Sequence, residues 1–343
     1  MLIDPSADTL LEETSRSFFL TLKVLPRSIR KQVGLLYLLA RVADTIADSK
    51  TGQVDILLDS LSSWDIATSQ ENGEMSDLTV LANLQSNPAE ERLLKNVDIA
   101  LNAFKKISKN DQIHMRRCLK IIISGQTLDL ERFGPANDSD DVSALETDLE
   151  LDDYAYRVAG SVGEFWTSMT LAHCISADGP DSEKMFELGI RFGKALQMIN
   201  ILRDIPEDLS FGRCYIPLNR LKKVGLEPVE LRDITSHETF SPIYQSLLDI
   251  TQGHLDAAEQ YILMLPRSQI RLKVACLLPV LIGQKTVNLL RTSKILDSSE
   301  RVKVPRKTVK RLMIRSIFSA MIPGGTKRLL KKNRAKEANF ANR

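Results

Sequence analysis

Apolar side chains recur every three or four residues along most of this chain, a spacing typical of amphipathic α-helices. The pattern is clear at Val33, Leu36, Leu39 and Ala40, and again over residues 274–281. Runs that alternate apolar and polar residues between tight turns are absent, and 16 glycines and 13 prolines among 343 residues are too few for many short strands. The sequence therefore predicts an all-α fold of stacked helices.

We expect one helical domain over residues 1–322. Two stretches, residues 68–91 and 134–150, are predicted to be loops or short ordered insertions, and neither is long enough to divide domains. Near the C-terminal end a helix is predicted to stop at Pro323, and residues 323–343 are predicted to form a basic, mobile tail. The apolar face predicted for that last helix consists of Val309, Leu312, Met313, Ile317 and Met321.

Charge is unevenly distributed along the chain. The first 300 residues carry a net charge of −11 and residues 301–343 carry +13, which leaves +2 overall. The acidic body, and the lack of aromatic residues interleaved in the basic segment, argue against a nucleic-acid partner. A basic helix with one apolar face is of the kind that lies on an anionic membrane, so peripheral contact with a membrane surface is a possible role.

The cysteines and the N-terminus favour the cytoplasm. The four cysteines lie far apart without a CxxC pair, which argues against a zinc site or a disulfide scaffold. The N-terminus is acidic and lacks the apolar run of a signal peptide. The most apolar stretch, residues 274–290, is interrupted by Pro279 and Lys285, and it is shorter than the roughly 20 apolar residues of a membrane span. It is predicted to be a buried helix. We expect the protein to be a monomer.

Two segments carry acidic residues at helical spacing, and we call them the first and second ladders. Within each, separations of three or four residues place four polar side chains on one helical face. Pro206 lies inside the second ladder and predicts that the helix bends or ends there. The first ladder is Tyr37, Arg41, Asp44 and Asp48, and the second is Gln197, Asn200, Asp204 and Asp208.

A single pair of acids at this spacing is compatible with a solvated helix surface. Here, however, Asp44 and Asp48 follow an apolar run, and Gln197 and Asn200 are uncharged hydrogen-bonding residues, so a face that lines a cavity is favoured. Neighbouring carboxylates repel unless a cation lies between them, and Mg²⁺ is the oxygen-seeking ion that brings phosphates into such sites. Four arginines suit phosphate contacts or, alternatively, ordinary ion pairs with the same acids: Arg16, Arg41, Arg203 and Arg213.

Four motifs in order give the chain its resemblance. They are SRSFF at residues 15–19, YLLARVADTIAD at 37–48, YAYRVAGSVGEF at 154–165 and ALQMINILRDIPEDLSFGRCYIP at 195–217. Together they resemble the squalene/phytoene synthase family over residues 11–312. The resemblance implies a helical isoprenoid synthase fold around a central apolar cavity and an enzyme that transfers prenyl groups, with farnesyl or geranylgeranyl diphosphate as substrate.

The resemblance also implies roles for individual residues. Tyr37 and Tyr154 match cavity tyrosines that steady cations or assist ionisation and proton transfer, and Asp44 and Asp204 are the candidate catalytic acids. The metal ligands would be Asp44, Asp48, Asp204 and Asp208. Diphosphate contacts would come from Ser15, Arg16, Ser17, Arg41, Gln197, Asn200, Arg203 and Arg213.

Members of this family differ in how they convert the cyclopropyl diphosphate formed first. The residues found in the motifs favour the squalene-forming branch, and so does the basic segment ERVKVPRKTV at residues 300–309. Enzymes of that branch reduce the intermediate with NADPH and supply sterol or hopanoid synthesis. Lys303, Arg306 and Lys307 would hold the 2′-phosphate of NADPH. The alternatives are the phytoene, dehydrosqualene and hydroxysqualene branches, which lack the reductive step.

Overall fold

The computed structural model describes residues 5–15, 18–50, 53–70, 75, 77–135, 140–176, 178–299 and 301–341. Helices account for nearly all of the regular structure in these ranges, as the apolar period predicts. In chain order they are α1 (Pro5–Ser15), α2 (Phe18–Val24), α3 (Arg27–Ala47), α4 (Val54–Ser69), α5 (Thr79–Asn83), α6 (Pro88–Lys95), α7 (Val97–Lys105), α8 (Lys109–Phe133), α9 (Asp148–Ala155), α10 (Ser161–His173), α11 (Ser182–Arg203), α12 (Ile205–Ser210), α13 (Leu218–Leu221), α14 (His237–Met264), α15 (Ile270–Thr292), α16 (Arg306–Met321) and α17 (Gly325–Ala341).

The described residues contain one small exception to the all-α pattern. Strand β1 (Ser143–Ala144) pairs in parallel with β2 (Arg213–Cys214), and Leu145 N donates to the carbonyl oxygen of Cys214 over 3.0 Å. A π-helical turn, Tyr156–Gly160, joins α9 to α10. The predicted all-α class is confirmed, because two-residue strands pin a loop rather than build a sheet.

The backbone divides into two compact units. Residues 1–137 and 164–174 form the first, and residues 138–163 and 175–343 form the second. The predicted boundary at residues 322 and 323 therefore falls inside the second unit.

Helix α3 is the centre of the first unit. It starts directly after Pro26, whose backbone is extended, and it packs on α4, α7 and α8. Its apolar stripe, which includes Leu35, Leu38 and Leu39, is fully buried. The indole nitrogen of Trp64 on α4 donates to the carbonyl oxygen of Leu39 over 3.2 Å. This packing fixes which face of α3 is left for polar side chains.

Helix α11 is the centre of the second unit and packs on α14, α15 and the π-helical turn. Glycines permit the closest of these approaches. A Cβ atom added at Gly163 would lie 1.9 Å from the carbonyl oxygen of Gly189, and one at Gly193 would lie 2.0 Å from that of Ala159. Gly163 therefore allows backbone contact with α11.

Helix α15 is a core helix, as predicted. Leu277, Val280 and Leu281 are fully buried, and Pro279 lies inside the helix. Among the described residues α15 is the one helix long and apolar enough to span a membrane, but its apolar window is mostly buried within the protein, as is common for core helices.

The C-terminal residues differ from the predicted mobile tail. Helix α16 ends at Met321, just before the predicted stop, and Gly324 then adopts φ of 71° so that the chain turns into α17. Leu330 of α17 is buried, and Arg334 forms ion pairs with Asp256 and Glu259 of α14. The basic composition suggested a solvated segment, but the buried Leu330 and the ion pairs of Arg334 dock the helix on the second unit.

We expect Gly163→Ala to lower the free energy of unfolding by about 2 kcal/mol or more, because the added methyl group would overlap the backbone of α11. Gly253→Ala is the matched control. Its Cβ would meet only Arg191 Nη2, at 3.7 Å, so a gain of up to about 1 kcal/mol from helix propensity is expected. Urea unfolding of both variants measures the difference, and equal stabilities would contradict the close approach.

Candidate active site

The first ladder occupies the polar face of α3, as its spacing predicts. Tyr37, Arg41 and Asp44 are partly buried, whereas Asp48 is exposed at the end of the helix. The backbone nitrogen of Asp48 donates to the carbonyl oxygen of Asp44 over 2.9 Å, so the helical turn carries both carboxylates. The two acids are therefore neighbours one turn apart.

Asp44 is the most perturbed acid of this face. Burial raises the pKa of its carboxyl to about 7, and the negative charge of Asp48 adds to the effect, while Arg41 and a hydrogen bond from Gln126 oppose it. Nε2 of Gln126 on α8 donates to Oδ1 of Asp44 over 2.6 Å. A cation nearby would stabilise the charged form of a carboxylate that is buried in this way beside a like charge.

Arg41 forms an ion pair with Glu90 of α6. The sequence interpretation offered either phosphate contact or pairing with the ladder acids, and the partner found here is a third acid. Nε of Arg41 is buried and has no hydrogen-bond partner in the described part of the chain. The guanidinium is thus oriented by Glu90 and retains a donor for an anion.

Sequence reasoning missed Gln126 and Glu90. Gln126 lies on α8 in the segment SGQTLDLERF, and the likeness of this segment to a further helix motif of the family is the available sequence signal. Glu90 lies in a stretch predicted to be a loop or a short ordered insertion, and the structure places it in the first turn of α6. Only the packing of α6 and α8 near α3 reveals both contacts.

The SRSFF motif is described only in part. Ser15 is the last residue of α1, and its buried hydroxyl donates to the carbonyl oxygen of Leu11. The hydroxyl of Tyr37 lies 3.5 Å from the carbonyl oxygen of Thr14, which brings the end of α1 close to the first ladder. Arg16 and Ser17 lie outside the described residues.

The second ladder breaks at the predicted place. Helix α11 ends at Arg203, Asp204 caps it, and α12 follows with Pro206 in its first turn. Hydrogen bonds of 2.9 Å nevertheless continue from Asp204 N to the carbonyl oxygen of Asn200 and from Asp208 N to that of Asp204. One-turn spacing therefore survives the break. Gln197, Asp204 and Asp208 are partly buried, and Asn200 is exposed.

Two arginines neutralise this ladder. Nε of Arg203 donates to Oδ1 of Asp204 over 2.9 Å. Nη2 of Arg301 lies 2.9 Å from Oε2 of Glu207 and 3.6 Å from Oδ1 of Asp204. Arg301 was not among the predicted site residues, and its only sequence signal is its position in the basic segment before α16. It brings that segment to the second ladder.

Arg213 and Asp208 share a cavity. Strand β2 carries Arg213, and the cavity of about 10 Å³ that both residues line has room for about one water molecule. Cys214 also lines it, and burial raises the pKa of this thiol to about 12, so the thiol is neutral. The β1–β2 pairing thus holds a predicted phosphate ligand beside a predicted metal ligand.

Tyr154 is a buried aromatic with a defined neighbour. Its ring stacks on that of Tyr215, with centroids 4.6 Å apart and planes 19° apart. Tyr215 follows β2 in the motif that ends CYIP, and sequence reasoning gave it no role.

The three residues predicted to bind NADPH lie around the start of α16. All three are exposed: Lys303, Arg306 and Lys307.

The donor set fits Mg²⁺ bound together with a phosphate. Within the described ranges, no three His, Cys, Asp or Glu side chains gather closely enough to hold a metal ion alone. Mg²⁺ commonly takes one or two carboxylates and fills its remaining positions with water and substrate phosphate oxygens. Two aspartates one turn apart in each ladder match that requirement.

Asp44→Asn should stabilise the metal-free protein at pH 8 by about 1–3 kcal/mol, with a much smaller gain at pH 5. The folded-state pKa of about 7 lies above the ordinary value of 3.8, so the folded protein binds the extra proton in that range and loses stability as the pH rises through it. Urea unfolding at both pH values tests this, with Asp59→Asn on the exposed face of α4 as control. A loss of stability at pH 8 would show that the carboxylate is well compensated.

Arg301→Gln should tighten Mg²⁺ binding about two- to fivefold, because an exposed guanidinium that competes for Asp204 and Glu207 is removed. Calorimetric titration with MgCl₂ alone measures the dissociation constant. Arg306→Gln, an exposed cation of the same segment, should leave it nearly unchanged. Equal effects of the two variants would reduce the contact to general electrostatics.

Comparisons with known proteins identify the family of this chain. The family model for squalene/phytoene synthase matches residues 11–308. The bifunctional lycopene cyclase/phytoene synthase of Podospora anserina is 30% identical over 67% of this chain, which spans only 37% of that protein. The presqualene diphosphate synthase of Zymomonas mobilis is 27% identical over 72% of each chain.

A solved structure shows the same fold. TcSQS in complex with the ligand E5700 superposes with a TM-score of 0.79 at 20% identity, covering 98% of this chain and 91% of the other. The region matched by the family model contains both ladders, Arg213 and Arg301. The chain therefore belongs to the squalene/phytoene synthase family.

Proposed function

We propose that the protein condenses two farnesyl diphosphates head to head into presqualene diphosphate and then reduces this intermediate to squalene with NADPH. The observation that carries the proposal is the first ladder: Asp44 is held by Gln126 beside Asp48, and Arg41 is oriented on the same face. Such a face is suited to a metal-bound diphosphate.

Asp44, Asp48, Asp204 and Asp208 would hold Mg²⁺, which, when bound, offsets the charge of the leaving diphosphate. Arg41, Arg203 and Arg213 would contact phosphate oxygens, together with Gln197, Asn200, Ser15, Arg16 and Ser17. Arg41 and Arg203 are already oriented by acids, so little side-chain freedom is lost when they bind an anion.

In the first half-reaction, the allylic C–O bond of one farnesyl diphosphate breaks, and its electron pair leaves with the diphosphate. The double bond of the second molecule attacks the carbocation, and loss of a proton closes the cyclopropane ring. We assign Tyr37 and Tyr154 to this step. The stacked ring of Tyr154 would steady positive charge, and the hydroxyl of Tyr37 would assist ionisation or proton transfer on the face that carries Asp44. An apolar cavity would enclose the hydrocarbon chains of the two substrate molecules.

In the second half-reaction, the remaining C–O bond breaks and hydride from NADPH quenches the rearranged cation. Lys303, Arg306 and Lys307 would bind the 2′-phosphate, and their exposure leaves them accessible to a cofactor. A second candidate stops at presqualene diphosphate. It is favoured by the relative from Zymomonas mobilis, which matches similar shares of both chains and is named for that product.

We place this enzyme in the cytoplasm as a monomer that contacts a membrane surface reversibly. Its substrate is amphipathic and its hydrocarbon product is insoluble in water, so exchange with a bilayer would serve both.

Incubation of the purified protein with farnesyl diphosphate and Mg²⁺ should give squalene only when NADPH is present, and presqualene diphosphate without it, as read by mass spectrometry. Asp44→Asn should reduce both products at least about a hundredfold, whereas Asp59→Asn should retain them. Presqualene diphosphate as the end product with NADPH present would establish the second candidate. Phytoene from geranylgeranyl diphosphate, or dehydrosqualene in the presence of NADPH, would overturn the proposal.

A matched pair of variants tests the cofactor site. Lys307→Gln should raise the KM for NADPH about threefold to tenfold and leave presqualene diphosphate formation unchanged, because one contact to a doubly charged phosphate is lost. Lys310→Gln, one helical turn further along α16, should alter neither value. An unchanged KM in the Lys307 variant would remove this residue from the cofactor site.

A further inference from the structure

Helix α16 exposes a continuous apolar stripe. Its members are spaced by three, one, three and one residues, which places them on one helical face and just past its C-terminal end. Phe318 and Met321 are 63% and 62% exposed, values that are high for large apolar side chains. The stripe consists of Ile314, Ile317, Phe318, Met321 and Ile322.

The opposite face of α16 attaches the helix to the second unit. Leu312 is 3% exposed and Ser316 is fully buried, and α16 packs on α15 and α17. The face predicted from sequence, which combined Leu312 with Ile317 and Met321, is therefore wrong. Leu312 belongs to the core, and the exposed stripe is rotated away from it.

Cations border the stripe. Lys310, Arg311 and Arg315 are exposed on α16 itself. Beyond the turn at Pro323 and Gly324, α17 exposes four more, and no acid occurs between residues 301 and 336. The four cations of α17 are Lys327, Arg328, Lys331 and Lys332.

We propose that α16 lies in the plane of an anionic lipid bilayer, with the stripe inserted among the acyl chains and the bordering cations at the headgroups. An apolar face between basic residues is the pattern of helices that bind membrane interfaces, and each Lys or Arg near an anionic surface adds to the attraction. A second copy of this chain fits the stripe less well, because pairing two such faces would bring together two segments of charge +13. The proposal depends on this surface alone and stands whether or not the proposed reaction is correct.

Co-sedimentation with vesicles tests the proposal with the full chain. Binding to phosphatidylglycerol-containing vesicles at low salt is expected to exceed binding to pure phosphatidylcholine vesicles at least tenfold, and to weaken as salt screens the cations. The triple variant Ile317→Ser, Phe318→Ser, Met321→Ser should lose at least tenfold of this binding. The charge variant Lys310→Gln, Arg311→Gln, Arg315→Gln should lose the preference for the anionic lipid.

A matched control separates the stripe from exposed apolar residues in general. Val80, Ile113 and Leu149 are 67%, 62% and 81% exposed and lie on α5, α8 and α9. Replacing all three by serine should leave vesicle binding unchanged. Equal losses in the control and the stripe variant, or no binding by the wild-type protein, would overturn the proposal.

Fluorescence reports insertion directly. A tryptophan placed at Phe318 should shift its emission to the blue on anionic vesicles and be quenched by brominated acyl chains, whereas one placed at Leu149 should not. Sedimentation of the protein without lipid should give a monomer. A dimer that is abolished by the stripe variant, or binding to duplex DNA that is lost with the charge variant while vesicles are not bound, would assign the surface to another partner.

Discussion

The rest of this structure depends on one constraint: α3, which carries the first ladder, and α11, which carries the start of the second, are also the central core helices of their units. Helix α3 buries Leu35, Leu38 and Leu39 on one side and therefore presents Tyr37, Arg41 and Asp44 on the other. In the second unit, α11 is held against its neighbours by contacts that only glycine permits. The side chains of the candidate site thus stand on rigid elements, as the proposed binding of phosphate oxygens would require.

Neighbouring groups compensate the charge of the carboxylates in both ladders. Carboxylates that are partly removed from water cost stability unless hydrogen bonds or cations oppose them. Arg41 and Gln126 do this for Asp44, whereas Arg203 and Arg301 do it for Asp204. Cations therefore oppose the acids of both ladders, and in the first ladder an amide hydrogen bond adds to them.

The basic C-terminal segment divides into parts with separate environments. Arg301 reaches the second ladder, Arg334 pairs with acids of α14, and the cations between them face solvent around an apolar stripe. The cations behind the net charge of +13 therefore have three environments: an ion pair beside the second ladder, ion pairs between α17 and α14, and a surface exposed to solvent. A mobile tail would have had none of these, and the buried Leu330 is what excludes it.

The sequence by itself determined the helical class, the two ladders and the break at Pro206, because apolar period, acid spacing and proline geometry are local properties of the chain. The four sequence motifs were sufficient to identify the family. Only the tertiary structure decided that Gln126 and Glu90 contact the first ladder, that Arg301 contacts the second, and that Leu312 faces inward while Phe318 faces out. Each of these depends on which distant segment packs against a helix, and periodicity constrains the width of a buried face without specifying the neighbour that covers it.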